Sequence, residues 1–421
     1  MSHLEEKKQA QEEFQNLRFG MFIHFGIYSL GEIEEWHMFT HKMSHEDYKQ
    51  EFMARFNPDP AGIEQWVIAA KEMGAKYMVV TSKHHDGFCL WDTKILHGLH
   101  PEYHIRSTEF WKKNKKSVID YLFEAGRKHG IKIGLYYSTI DWSWTEIEKR
   151  RWRPQFHVLL KKNNQDLHAQ YVEYYKNQVL ELAQMYPDNI CFWFDGYQFR
   201  HPKHLNGFLN YLDYNDLYQR IKAINPKILV GNNTGSTKAD KELGLNDLLL
   251  LENMAGLGEQ SGALWPRKTL LPGEVCLTLN NHWGYCRKDK KYKSPESMQK
   301  LVIINAIRNA NTLLNFGPTP EGYIPDDQVP YARKIGELLQ PYSGLIYNTR
   351  NIEVKKWGGI VQNTISGKKY AYFSKPTNTA KITNVEHQSE PEWVIGKGEI
   401  RKDSEGSLVL SNISENSLLI F

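Results

Sequence analysis

Apolar positions along this chain keep switching between two spacings. Residues 61–72 repeat them at the helical interval and stop at Gly74, after which 77–82 runs Tyr-Met-Val-Val-Thr-Ser, apolar on both faces as in a buried strand. The alternation then recurs. Residues 117–128 predict an amphipathic helix ended by His129-Gly130 and followed by a strand at 131–137. A third helix carries Tyr171, Tyr175, Val179, Leu182 and Tyr186 on one face and breaks at Pro187, ahead of a strand at 189–195. A fourth, 214–223, leads into 228–231, and an earlier strand lies at 18–25. Later strands lie at 275–279 and 312–316, with a helix at 295–308 between them.

Helix and strand in strict alternation imply parallel strands joined by right-handed crossovers, with the helices outside. Seven or so strands over this length predict an α/β fold, an irregular (β/α)8-like TIM barrel, from which some outer helices could be missing. The rhythm fails at residues 232–271, a stretch rich in Gly, Asn and charge, and a connection that long is read as functional. After Tyr347 the texture changes to short alternating segments split by turn signals such as Ser366-Gly367 and Glu405-Gly406-Ser407. The expected organisation is therefore a catalytic barrel domain over 1–345 and a small C-terminal β-sandwich over 346–421.

Composition narrows the function classes. With 41% hydrophobic and 13% aromatic residues among 421, the chain can build a core. A balance of 53 Lys and Arg against 49 Asp and Glu argues against a nucleic-acid partner. No segment is apolar for long enough to span a membrane, and the start of the chain, Met1-Ser2-His3-Leu4-Glu5-Glu6, reads as a polar helical lead. Four scattered cysteines, Cys89, Cys191, Cys276 and Cys286, show no metal-knuckle spacing, and a reduced, cytoplasmic protein is the expectation. The 12 Trp and 23 Tyr suit sugar rings as well as cores and subunit contacts; a homo-oligomer stays open.

The chemistry collects where strands end. The first leads to His24, the second to Lys83-His84-His85-Asp86-Gly87, the third to Tyr136-Tyr137-Ser138, and the fourth to Trp193-Phe194-Asp195-Gly196. In a parallel barrel these ends share one rim, which makes Asp195 a candidate acid, although a strand-terminal Asp can equally cap a helix or start a turn. His24, His84, His85 and Asp195 could hold a metal ion, but adjacent histidines do not both point inward from a regular strand without a bulge. The competing use is polyol recognition, with imidazoles on hydroxyl groups, aromatic rings on the sugar face and a second carboxylate completing a glycosidase pair. Glu252, behind four leucines, Glu259 and Glu274 are the acids on offer in the irregular stretch and at its end. A noncatalytic carbohydrate-binding protein is a third reading.

Several segments, taken in order, resemble the α-L-fucosidases of glycoside hydrolase family 29. They are Arg18-Phe19-Gly20-Met21-Phe22-Ile23-His24-Phe25-Gly26, Glu35-Trp36, Lys83-His84-His85-Asp86-Gly87-Phe88, Gly134-Leu135-Tyr136-Tyr137-Ser138, Trp193-Phe194-Asp195-Gly196, Trp283-Gly284-Tyr285 and Leu313-Leu314-Asn315-Phe316-Gly317-Pro318. The resemblance implies a barrel followed by a β-sandwich and a retaining double displacement on a fucosylated glycan or glycoside, with no metal or other cofactor. It implies Asp195 as nucleophile and Glu252 as acid/base, with Glu274 as runner-up. It also implies His24, Glu35, Trp36, His84, His85, Tyr137 and Trp193 around the sugar, with Trp283 or Tyr285 near its methyl group. The chain departs from some relatives at Asn232-Asn233-Thr234-Gly235, where they carry an Arg.

Overall fold

The computed structural model describes residues 2–145, 160–196, 212–233, 245–252, 271–383 and 390–421. Eight parallel strands pair in chain order and close into a barrel through β1 and β8. They are β1 (Phe19–Ile23), β2 (Tyr77–Lys83), β3 (Lys132–Ser138), β4 (Cys191–Asp195), β5 (Leu229–Asn232), β6 (Leu248–Glu252), β7 (Gly273–Thr278) and β8 (Ala310–Phe316). Seven match the apolar runs in the sequence, and β6 is the addition. It lies inside the stretch that was expected to be irregular, and it shares only Gly231↔Leu248 and Asn232↔Leu249 with β5. Asp247, fully buried, offsets that short pairing. Its carboxylate takes the Lys222 ammonium at 2.5 Å, the Tyr218 hydroxyl at 2.8 Å and the Val230 N–H at 3.0 Å, tying one helix and two strands together.

The outer helices start and stop where their end residues dictate. Asp59 caps Pro60–Glu72, Ser117 forms a capping box with Asp120 at Val118–His129, and Ser294 caps Pro295–Ile307. Gly130, at φ 73°, supplies the left-handed residue that ends the second of these helices.

Two apolar layers result, one between strands and helices and one inside the barrel. Inside, Phe22, Tyr77, Val79, Tyr136, Cys191, Trp193, Leu229, Leu248, Leu250, Cys276 and Leu313 interdigitate. Gly20 leaves room for the Tyr77 ring: a Cβ there would lie 2.6 Å from its Cζ. At the lower end the helix His3–Leu17 inserts Phe14 against Tyr77, ring centroids 5.2 Å apart, and Asn311 Nδ2 donates to the Phe14 carbonyl at 2.8 Å.

The C-terminal region forms two antiparallel sheets, one of five strands in the order Glu392–Ile395, Ser417–Ile420, Lys369–Phe373, Gly358–Asn363 and Thr349–Lys355, and one of three in the order Thr377–Ile382, Leu408–Ile413 and Glu399–Lys402. The eight strands run from β9 (Thr349–Lys355) to β16 (Ser417–Ile420). Ile360, Phe373, Leu408, Leu410 and Leu419 fill the space between them, with Trp357 and Trp393 packed at its margin. Asn351 ties this region to the barrel, donating its N–H to Asn309 Oδ1 and its Nδ2 to the Ile307 carbonyl.

Candidate active site

The strand ends meet at the upper rim. Phe22, His24, Trp36, His84, His85, Tyr136, Trp193, Asp195, Asn233, Glu252 and Trp283 line one pocket there. Strand parity explains part of the selection, since Tyr136 is in register with Trp193, and Ser138 with Asp195.

Both histidines of the pair reach the pocket because β2 leaves its regular register against β3 between Thr81 and Lys83. Beyond the strand the chain turns at Gly87, φ 87°, where a Cβ would lie 2.1 Å from Asp141 Oδ1. A fully buried ion pair, Lys83 Nζ to Asp141 Oδ2 at 2.8 Å, fastens this turn to the loop after β3, and the Trp142 N–H donates to the His85 carbonyl at 2.8 Å. Breaking one partner of such a pair strands a buried charge, so the turn is firmly set.

Asp195 is 8% exposed and meets three donors. The Tyr136 hydroxyl donates to Oδ2 at 2.8 Å, and the Gly196 N–H and Asn233 Nδ2 donate to Oδ1 at 2.7 and 3.1 Å. His85 Nε2 stands 3.5 Å from Oδ2. The Asn233 amide also donates to Glu252 Oε2 at 2.7 Å. Since one nitrogen touches both carboxylates, these two oxygens are no farther apart than those two contacts laid end to end, close to the roughly 5–5.5 Å of retaining glycosidase pairs.

Burial holds two of the imidazoles neutral, pushing His24 down to about 4 and His84 well below the usual histidine value. Tyr136 stacks between Trp193 (5.6 Å, 20°) and His84 (5.7 Å, 21°), which makes an aromatic floor around the carboxylate. Among the described residues, no group of three or more His, Cys, Asp or Glu side chains is arranged to hold a metal ion.

Four expected residues lie elsewhere. Tyr137 faces outward from β3 into the layer beneath the helices, fully buried, and its hydroxyl donates to Gln178 Oε1 at 2.9 Å; its neighbour Tyr136 is the one in the pocket. Glu274 lies inside the barrel and does not line the pocket. It accepts from Trp193 Nε1 at 2.9 Å and from the Tyr77 hydroxyl, and burial pushes its carboxyl up to about 7. Glu35 is also outside the lining; it accepts the Gly284 N–H at 2.7 Å and so anchors the segment bearing Trp283. Tyr285 stands outside as well, beside Arg287. Glu259 lies outside the described residues. The sequence reading missed Tyr136 and Asn233, although Asn233 follows the apolar run of β5 just as Asp195 closes that of β4.

A parallel barrel whose rim gathers a bridged carboxylate pair, neutral imidazoles and aromatic walls defines a glycoside-cleaving class of site. The family model described as Alpha-L-fucosidase matches residues 2–344. Relatives include the α-L-fucosidase of Dictyostelium discoideum, 24% identical over 407 residues, covering 88% of this chain and 79% of that one. Among solved structures, α-L-fucosidase isoenzyme 1 from Paenibacillus thiaminolyticus superposes with a TM-score of 0.76 at 25% identity, covering 99% of each chain. An α-L-fucosidase from Bacteroides thetaiotaomicron, trapped as a covalent intermediate with 2-fluoro-fucosyl fluoride, shares the fold at a TM-score of 0.74 and 20% identity, covering 98% of this chain and 95% of that one. The chain belongs to the α-L-fucosidase family.

Proposed function

We propose that this protein hydrolyses terminal α-L-fucosyl residues of glycans or glycosides with retention of configuration. Asp195 is the nucleophile and Glu252 the acid/base. The observation that supports this reading is the Asn233 amide shared by the two carboxylates, which keeps one oxygen of each within a single donor's reach, in keeping with the short spacing of a double displacement. In the first step a carboxylate oxygen of Asp195 bonds to the anomeric carbon as the bond to the aglycone oxygen breaks, and the Glu252 proton passes to that oxygen. In the second, Glu252 takes a proton from water, the water oxygen bonds to the anomeric carbon, and Asp195 leaves. His24, His84 and His85 meet the sugar hydroxyls, while Trp36, Trp193 and Trp283 pack on its faces and methyl group.

Hydrolysis of an activated aryl α-L-fucoside by the wild type and three variants tests the assignment. Asp195→Ala is expected to lose several orders of magnitude in kcat. Azide is expected to revive Glu252→Ala, giving a fucosyl azide of retained configuration, and to leave Glu274→Ala unchanged. Revival of Glu274→Ala in place of Glu252→Ala reverses the acid/base assignment.

A further inference from the structure

Proton accounting behind the pocket wall settles more than the contacts alone. Ser138 Oγ takes the Ile140 N–H at 3.0 Å and lies 2.7 Å from the Ile140 carbonyl oxygen. That second contact is attractive only if the hydroxyl donates its single proton there; otherwise two acceptors would be pressed together. Ser138 Oγ is then an acceptor toward His85 Nδ1, 2.6 Å away, and Nδ1 must carry a proton. On the other wall Asn315 Nδ2 donates to the Trp283 carbonyl at 2.7 Å, which fixes the amide's orientation and turns Oδ1 toward His24 Nδ1 at 2.7 Å. A carbonyl oxygen only accepts, so His24 also carries its proton on Nδ1. Burial holds the His24 ring neutral, so its lone pair sits on Nε2, whereas His85 turns its Nε2 to Asp195 Oδ2 at 3.5 Å. Both rings line the pocket.

We propose that Ser138 and Asn315 are positioning residues that fix a proton on Nδ1 of His85 and His24, so that His24 meets the sugar with an Nε2 acceptor and selects ligands offering a hydroxyl donor at the matching position. For the identity of the ligand, L-fucose, this rests on the fucosidase reading. The burial that keeps His24 neutral agrees with it. The consequence for specificity is asymmetric, because a sugar that lacks a donor leaves a buried acceptor unpaired, a loss that an extra apolar contact does not restore.

The full chain labelled with nitrogen-15 histidine, studied by long-range proton–nitrogen correlation near pH 7, reads the tautomers without turnover. His24→Gln and His85→Gln assign the two rings by loss of signals. Both rings are expected to show a protonated Nδ1, and His24 a pyridine-like Nε2; an unprotonated Nδ1 on either ring, or a protonated Nε2 on His24, overturns the proposal, and this needs only the wild type to be folded. Ser138→Ala is expected to move His85 toward a tautomer mixture and Ser138→Thr to restore it, whereas an unchanged His85 pattern in Ser138→Ala removes the positioning role. Calorimetric binding of L-fucose and its monodeoxy and monodeoxyfluoro analogues adds the ligand's side. At one position both analogues are expected to bind equally weakly, roughly tenfold or more below L-fucose, since fluorine does not donate. A fluoro analogue that keeps full affinity at every position overturns the acceptor role. L-fucose failing to bind sinks the fucosidase reading, while the spectra still decide the tautomers.

Discussion

On one side of the pocket, β3 and β4 stay paired to their last residues, Ser138 against Asp195, and Thr139 closes over the Asp195 carbonyl with its N–H at 2.9 Å and its hydroxyl at 2.8 Å. On the other side, β5 and β6 share two register pairs, and Glu252 is the last residue of β6. The nucleophile is thus fixed through backbone and side chain together on this side, while its partner, held by Cys276 in the β7 register, has only the short β5 pairing on the side facing Asp195 and is met there by the Asn233 amide. The division suits the proposed chemistry. A nucleophile must stand at one distance from the anomeric carbon, whereas an acid/base serves first as donor and then as acceptor while groups in front of it exchange.

The strongest way to probe this contrast is through Glu274, which stands on β7 but holds Trp193 on β4 from across the barrel. With its carboxyl raised to about 7 from 4.5, the folded chain keeps a proton that the unfolded chain releases, so this group's contribution to stability falls as pH rises from about 4.5 to about 7 and then levels. Glu274→Gln has no such proton to lose. Its stability relative to wild type is expected to grow across that window by about 3 kcal/mol, read from urea unfolding at several pH values. A pH-independent difference would mean that Glu274 is ionised inside the barrel.

Next in size, Tyr136→Phe removes a donor from Asp195 and is expected to lower kcat/KM by roughly 10–100-fold. Tyr137→Phe, one residue along the same strand, should leave kcat/KM within about twofold and cost about 1 kcal/mol of stability through the lost Gln178 contact. Equal kinetic losses in the two variants would contradict the strand parity. The smallest effect is assigned to the short side of the rim: Asn233→Ala is expected to lower kcat/KM about tenfold, measured on the same aryl fucoside. A loss as deep as that of Asp195→Ala would show that the short side is as tightly constrained as the long one.

Much of this was legible in the chain. Apolar runs bounded by glycine and polar caps mark seven of the eight barrel strands, and the polar residues that close them build most of the rim. The eighth strand was hidden because Leu248 to Leu251 are buried on both faces, so no alternation separates them from a core helix, and the stretch around them is rich in turn formers. The same absence of alternation explains the choice of Tyr137 over Tyr136. Along Lys132–Ser138 every residue after the first is buried, so pattern cannot tell which of two adjacent tyrosines faces inward. Parity counted from Asp195 through the β3–β4 register resolves it, but register belongs to the folded sheet. Glu274 misled for a related reason. An acid at the start of a strand was read as standing near the site, whereas its position at the second residue of β7 sets it deep among Tyr77 and Trp193.

Phe22, Tyr136 and Trp193 belong both to the packed barrel interior and to the pocket lining, so their rings close the pocket from beneath. A pocket closed from beneath does not let a polymer thread through the barrel. Under the function proposed above the protein is an end-trimmer, removing one unit per visit, and each freed sugar must clear the pocket before the next chain end can dock.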